Sequence, residues 1–260
     1  MPHISFSELK IWNECSWKHK LVYLDKLKGF EGNEYTAFGT AIHSVCENLV
    51  EDKITNGEQH FEEQFLKELK ELPEKHVLNK KLVVEMRTQG KELCQYILPA
   101  LKEYFGSYEL FSVEEQLFEL HDDFKETEYN FKGFIDLTVK TPDGKYHIID
   151  WKTCSWGWDS RRKTERMTTY QLTLYKHFFA KKHGIDPADI QTHFALLKRT
   201  AKNNNVELFK VTSGNKKTEN ALKLLNKALY NLHGKKYVKN RLACHGKFGT
   251  CEFYKTQHCN

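Results

Sequence analysis

Two short strings on either side of a turn constrain this chain more than anything else in it: GFIDLT around Asp136 and IIDWKT around Asp150. Between them stand Pro142, Asp143 and Gly144, turn formers because proline presets one backbone angle and glycine reaches positive φ without a steric cost. Both strings are rich in β-prone residues, so the segment reads as two antiparallel strands of a hairpin. Centring the turn on Asp143 sets Asp136 opposite Asp150. A slip of one residue would turn one strand's side chains to the other face, and the apolar set Ile135, Leu137 and Val139, matched by Ile149 and Trp151, argues against it. Side chains two apart on a strand share a face, so Lys152 stands beside Asp150 where the carboxylates meet.

Like charges facing each other across a sheet destabilise it, and two carboxylates at one site resist joint ionisation unless a cation lies between them. Hard oxygen ligands in this arrangement suit Mg²⁺ or Mn²⁺, which retain several waters and bind a substrate phosphate. Lys152 can then orient an attacking water or stabilise developing negative charge. Taken alone, D…D-x-K also fits an Asp136 that ends an element and a surface ion pair between Asp150 and Lys152. The rest of the chain decides between these readings.

Upstream of the hairpin the pattern is helical. Ser5 and Glu8 have capping-box spacing and open a helix carrying Leu9 and Trp12, with Leu21 and Leu24 further on. Phe38, Ile42, Val45 and Leu49 recur every three to four residues and predict a helix over about 37–52, with His43 near its start. Further helices are read over about 58–72 and 80–102, the latter ending near Pro99. From about Phe111 the runs shorten and become β-prone: 112–120, 131–139 and 146–152. A loop rich in Trp and Arg follows, then a helix over about 167–183, short strands near 192–197 and 206–211, and an amphipathic helix carrying Leu222, Leu225, Leu229 and Leu232. No internal repeat or low-complexity linker interrupts this order, and the mixture predicts an α/β or α+β class.

In this order the segments resemble the PD-(D/E)XK nuclease superfamily, specifically its RecB-like branch. Asp136 corresponds to the family's first aspartate and Asp150-Trp151-Lys152 to its D-x-K element. FGTAIH, ending in His43, VEEQLFEL, containing Glu115, and YQLTLYKH, containing Gln171 and Tyr175, fit three further family segments. The resemblance implies a restriction-endonuclease-like fold: a mixed central β-sheet flanked by helices, with an added helical layer, in one domain over 1–260. Residues 53–108 would be a helical insertion, and the cysteine-containing segment 236–260 would close against the N-terminal helix. It also implies that His43 and Glu115 join Asp136 and Asp150 as metal ligands, and that Gln171 and Tyr175 assist Asp136, Asp150 and Lys152. Glu114 sits beside Glu115, and only an approximate spacing to Phe118 selects between them. Gln171 and Tyr175 are four apart and share a helix face, though such residues also serve helix packing or simple exposure.

Many RecB-like nucleases carry an iron–sulfur cluster held by one cysteine before the first motif and three near the C-terminus. Cys15, Cys244, Cys251 and Cys259 match that distribution and would hold a [4Fe–4S] cluster. The intervals are wider than the family's: six residues separate Cys244 from Cys251 and seven separate Cys251 from Cys259. Zinc, with His245 and His258 as extra ligands, and unligated thiols stay open as alternatives. Cys46, Cys94 and Cys154 read as packing residues.

Forty basic against thirty-five acidic residues give a net charge of +5, which permits a polyanionic partner without demanding one. Local clusters say more: Arg161, Arg162, Lys163 and Arg166, and further on Lys198, Arg199 and Lys202. Trp156, Trp158, Arg161 and Arg162 could contact phosphates and stack on unpaired bases. The start MPHISFSELK lacks a basic, apolar leader and no run reaches membrane-span length, so a cytoplasmic protein is expected, with cysteines reduced. The chain has no G-x-x-x-x-G-K-[ST] string, so a helicase or recombination partner would be a separate protein. The functional expectation is a metal-dependent DNA exonuclease of recombination, repair or phage DNA processing. The alternative is a nucleic-acid-binding or scaffold module that keeps the fold without catalysis.

Overall fold

In the computed structural model, which describes residues 1–246 and 249–260, the elements run β1 (His3–Ser5), α1 (Phe6–Glu14), α2 (Ser16–His19), a π-helical turn (Lys20–Leu24), α3 (Glu34–Val50), α4 (Gly57–Lys70), α5 (Lys80–Cys94) and α6 (Ile97–Phe105). After them come β2 (Glu109–Leu120), β3 (Asn130–Lys140), β4 (Tyr146–Cys154), α7 (Ser160–Thr164), α8 (Arg166–His183), β5 (Ile190–Lys198), β6 (Val206–Val211), α9 (Asn215–His233), β7 (His245–Gly246) and β8 (Gly249–Thr250). Local chemistry sets many of the starts. Ser5 Oγ accepts from Glu8 N at 3.2 Å, and Asn33, Asn56, Asn79, Asp159 and Glu165 cap α3, α4, α5, α7 and α8 in the same way. The single helix expected over 80–102 is instead two, broken at Gln95 and Tyr96. Pro99 falls in the first turn of α6, where its missing N–H leaves no helical bond unmade.

The chain divides into two compact units. The larger comprises residues 32–116 and 134–214, the smaller 1–31, 117–133 and 215–260, so β2 and β3 each begin in one and end in the other. In the larger unit β3 pairs antiparallel with β4, Leu137 opposite Ile149 through Lys140 opposite Tyr146. That is the register read from the apolar alternation. β4 and β5 are parallel from Tyr146–Ile190 to Cys154–Lys198, and α8 is part of the crossover that a parallel pair needs. β6 then pairs antiparallel with β5. Ile148, Ile149, Asp150 and Trp151 of β4 are all buried.

The sheet packs against helices. Phe38, Ala41, Ile42 and Val45 of α3, Phe61 and Phe65 of α4, Met86 and Leu93 of α5, and Ile97 and Leu101 of α6 share one core with Leu137, Val139, Ile149 and Trp151. Gly90 permits the α4–α5 contact, since a Cβ there would lie 2.0 Å from the Phe61 ring. At the start of β4 a polar chain crosses the sheet: Tyr104 OH lies 3.3 Å from His193 Nδ1, His193 Nε2 3.0 Å from His147 Nδ1, and His147 Nε2 2.9 Å from Thr141 Oγ1. Thr141 donates in turn to Asp143. A carboxylate only accepts, so the donors run one way, from Tyr104 to Asp143, with both imidazoles neutral and protonated on Nε2.

In the smaller unit β1 pairs in parallel with the first residues of β3, Ile4 opposite Phe131, a strand not read from sequence because three residues carry no period. His121 Nε2 bonds Asn226 Oδ1 of α9 at 2.8 Å. Trp17 Nε1 donates to His258 O at 2.9 Å, Lys18 pairs with Glu252 at 2.9 Å, and Leu21, Phe253 and Cys259 form a small apolar cluster. No helix among the described residues is long and apolar enough to cross a membrane. The architecture is α/β, a mixed central sheet with helices against it.

Candidate active site

The hairpin brings Asp136, Asp150 and Lys152 together, and α3 and α8 add His43, Gln171 and Tyr175 to them. One step beyond the Leu137–Ile149 pair, Asp136 comes level with Asp150. Its Oδ2 accepts from the Trp151 backbone N at 2.7 Å, which fixes the carboxylate over the neighbouring strand. Lys152 Nζ lies 2.6 Å from Asp150 Oδ2. From α3, His43 Nδ1 approaches Asp136 Oδ2 to 3.7 Å. From α8, Gln171 Nε2 donates to Asp150 Oδ1 at 2.7 Å and lies 3.3 Å from Tyr175 OH, the two being neighbours one helical turn apart.

Burial makes these charges expensive. Asp136 is pushed well above the ordinary carboxylate range by desolvation and then by the Asp150 charge, while Lys152 and the Trp151 N–H oppose the shift. Desolvation also raises Asp150, against the pull of Lys152. His43 is lowered to about 4, first by burial and then by the Lys152 charge. It is therefore a neutral imidazole at neutral pH, the form that ligates metals. Burial and then the Asp150 charge raise Tyr175, so it stays a phenol.

Of the two adjacent glutamates, the structure turns Glu114 and not Glu115 towards this group. Glu115 bonds Ser112 Oγ at 2.6 Å, Lys182 Nζ at 2.7 Å and His183 Nε2 at 2.6 Å, which saturates it away from the site. Glu114 has φ 47°, a left-handed conformation that interrupts strand alternation and defeats spacing from Phe118. Its carboxyl bonds that of Glu47, it feels the Asp150 charge, and it contributes to the shift of Asp136. Glu47 is raised to about 7 by burial and then by Glu114. Sequence reasoning missed Glu47, although it lies one turn beyond His43 on α3 and so on the same helix face.

Among the described residues no three His, Cys, Asp or Glu side chains converge at metal-ligand spacing as they stand. At the carboxylate site the donor set nonetheless fits a hard divalent ion. Two oxyanions face a neutral imidazole, and the buried Asp150 Oδ2 accepts no hydrogen bond of regular geometry, only the ionic contact of Lys152. The cysteines expected to hold a cluster are neighbours in the smaller unit: Cys15 and Cys244 both contact Asn240, and Cys251 N donates to Cys244 O at 2.8 Å. Cys15 lies against Val238 O and Asn240 N, Cys244 against Asn240 O, and Cys251 and Cys259 sit in the apolar cluster around Leu21, with burial pushing the Cys251 thiol up. Cys94 donates to Gly90 O at 3.1 Å.

In the loop after β4 the two tryptophans part company. Trp156 is 79% exposed, whereas Trp158 is buried against Phe194 and Phe209 with the Arg162 guanidinium 4.5 Å above it. The buried Trp158 face is therefore taken up by the sheet, so that ring offers no free surface for stacking a base, while Arg162 stays half-exposed. Arg161 is exposed. Of the nearby cations, Lys163 and Lys198 both pair with Glu207.

A family model described as the PD-(D/E)XK nuclease superfamily matches residues 3–259. No curated protein matches the sequence significantly. Among solved structures, a Eubacterium rectale protein described as a candidate exonuclease superposes with a TM-score of 0.60 at 15% identity, covering 93% of this chain and 85% of that one; at that identity the likeness shows a common fold. The structure of SSO0001 matches at a TM-score of 0.41 and 10% identity over 88% of this chain and 75% of that one, a superposition too loose to bear on the fold.

Proposed function

The chain belongs to the PD-(D/E)XK nuclease superfamily, and from that premise we propose that it is a divalent-metal-dependent deoxyribonuclease, acting as an exonuclease in the processing of DNA during recombination, repair or phage replication. The observation that carries this reading is the meeting of Asp136 and Asp150 on adjacent strands, with Lys152 against one carboxylate and His43 beside the other.

Asp136, Asp150 and His43 would hold the ion, with Glu114 the next acid in reach. When bound, Mg²⁺ or Mn²⁺ supplies Lewis acidity at a phosphoryl oxygen. Trp151 N pins Asp136, and Gln171 takes Asp150 Oδ1, so each carboxylate keeps a fixed direction. Tyr175, a phenol throughout the working pH range, steadies Gln171 from the next turn of α8. Lys152 carries the positive charge of the site; it orients the attacking water and stabilises the charge that grows on the phosphate. The neighbouring sheet and helices exclude bulk water, which strengthens each of these interactions.

The test is cleavage of end-labelled single- and double-stranded DNA with Mg²⁺, Mn²⁺ or EDTA, by the wild type and by Asp150→Asn and Lys152→Ala. Metal-dependent cleavage that falls roughly 10²–10³-fold or more in both variants is the expected outcome. Undiminished DNA binding with no cleavage under any metal would replace the enzyme by a binding module. Labelling the 5′ or the 3′ end reads the polarity.

A further inference from the structure

Tyr35, Gly39, His43 and Glu47 are spaced four apart on α3 and so lie along one side of it. Three of them meet the sheet in order. Glu47 bonds Glu114, His43 approaches Asp136, and a Cβ on Gly39 would find a single neighbour, Thr153 Oγ1 at 3.7 Å. This side of the helix therefore follows the site outward, from the acids towards the end of β4, past a bare stretch of backbone. Tyr35 stands at the outer end, eight residues or about 12 Å along the helix from His43.

Tyr35 is 52% exposed, yet its ring is not loose. The Arg199 guanidinium lies 5.4 Å from its centroid. Arg199 is itself fixed: Nη1 donates to Gln89 Oε1 at 2.7 Å, Nη2 to Ser155 Oγ at 3.3 Å, and the backbone N to Cys154 O at 3.0 Å. One ring face of Tyr35 is thus backed by an anchored cation and the ring still reaches solvent. Ser155, which holds that cation, is followed by Trp156, the large aromatic most open to solvent near the end of β4. A strand end thus presents two aromatic surfaces and a fixed positive charge, beside a glycine that lets a chain approach closely.

We propose that a single-stranded nucleic acid engaged at Asp136 and Asp150 runs along the Gly39–Thr153 gap and stacks unpaired bases on Tyr35 and Trp156, with Arg199 as the positioning residue that holds the Tyr35 ring. This deepens the nuclease reading and rests on it. Base–aromatic stacking needs a base whose face is free, which a duplex does not offer, and it tolerates any sequence. The 12 Å between His43 and Tyr35 corresponds to roughly three stacked nucleotides at 3.4 Å each. Glu34, next to Tyr35, is turned the other way, accepting from His76 Nε2 at 3.0 Å and Asn79 N at 2.7 Å, so its charge does not compete for the strand.

The experiment compares Tyr35→Leu, Tyr35→Phe and Trp156→Leu with the wild type. Binding of labelled oligo(dT) and of a labelled duplex is measured by fluorescence polarisation in EDTA, cleavage with Mn²⁺, and folding by thermal melting. Tyr35→Leu and Trp156→Leu should each weaken oligo(dT) binding roughly 5- to 100-fold, as expected for the loss of one stacked base. Duplex binding should hardly change, and the defect in cleaving single strands should appear in KM rather than kcat. Tyr35→Phe keeps the ring and should restore binding. Trp156 lies in an exposed loop, so Trp156→Leu remains informative should Tyr35→Leu unfold. Variants that bind single strands as the wild type does, or that lose single strands and duplex equally, overturn the stacking track while leaving an active wild type a nuclease. A wild type that neither binds nor cleaves DNA overturns both.

Discussion

The one-way hydrogen-bond chain from Tyr104 through His193, His147 and Thr141 to Asp143 makes its two imidazoles a liability in acid. His193 is lowered to about 3, first by burial and then by His147 and Lys210; His147 is lowered by burial, partly offset by Asp143. In an unfolded chain both protonate near 6.5. Between roughly pH 6.5 and 3 the unfolded state therefore binds protons that the folded state refuses, so stability is full above about pH 6.5 and declines as pH falls below it. His193 alone should cost on the order of 2 kcal/mol at about pH 5, at roughly 1.4 kcal/mol per pH unit. Thermal melts should fall more steeply between neutral pH and pH ~5 in the wild type than in His193→Gln, and equal slopes would sink the assignment. Nothing in the sequence pointed to this chain, since Tyr104, His147 and His193 are far apart in it; the β4–β5 register brings His147 to His193, and Tyr104 reaches them from α6. Asp136, Asp150 and Lys152 were readable for the opposite reason: a tight turn and a period of two relate them locally. Glu114 escaped because a single positive φ inverted the rule that would have found it.

At the scale of elements, periodicity located the strands and helices around the site, because each buries a continuous stripe or face, while breaks decided by one side chain were harder to see. Gly90 is such a place. Its side of α5 lies so close to Phe61 that an added methyl would stand 2.0 Å from the ring, and Phe61 is in turn stacked on Phe65 and edge-on to Phe38. Gly90→Ala should destabilise the protein by about 1–3 kcal/mol through overpacking, although alanine is the better helix former. Combining it with Phe61→Leu should recover part of the loss, a non-additivity readable by denaturant titration; strict additivity, or a stabilised single variant, would contradict the packing. The helical stretch over 80–102 was legible as helix but not as two, because Gln95 and Tyr96 carry no breaker and Pro99 belongs to the start of the second helix.

At the scale of the whole molecule, the smaller unit is assembled from the beginning, middle and end of the sequence. Phe253 and Cys259 cover Leu21, and His258 O takes the Trp17 indole N–H. Removing residues 252–260 strips these partners from the turn around Leu21 and takes the acceptor from the half-buried Trp17 indole N–H, a cost of about 1 kcal/mol for the hydrogen bond alone. Amide exchange over residues 16–27 should accelerate in the truncated chain; unchanged protection there would show that the tail contributes nothing. This dependence was not legible in the sequence, where the tail drew notice for its cysteine and histidine side chains rather than for Phe253 and the backbone carbonyl of His258. The same path through the chain also sets a timetable. A ribosome releases all of residues 32–214 before the last segment of the smaller unit exists, so the nuclease core can close during synthesis while Leu21 and Trp17 wait for partners still to be translated.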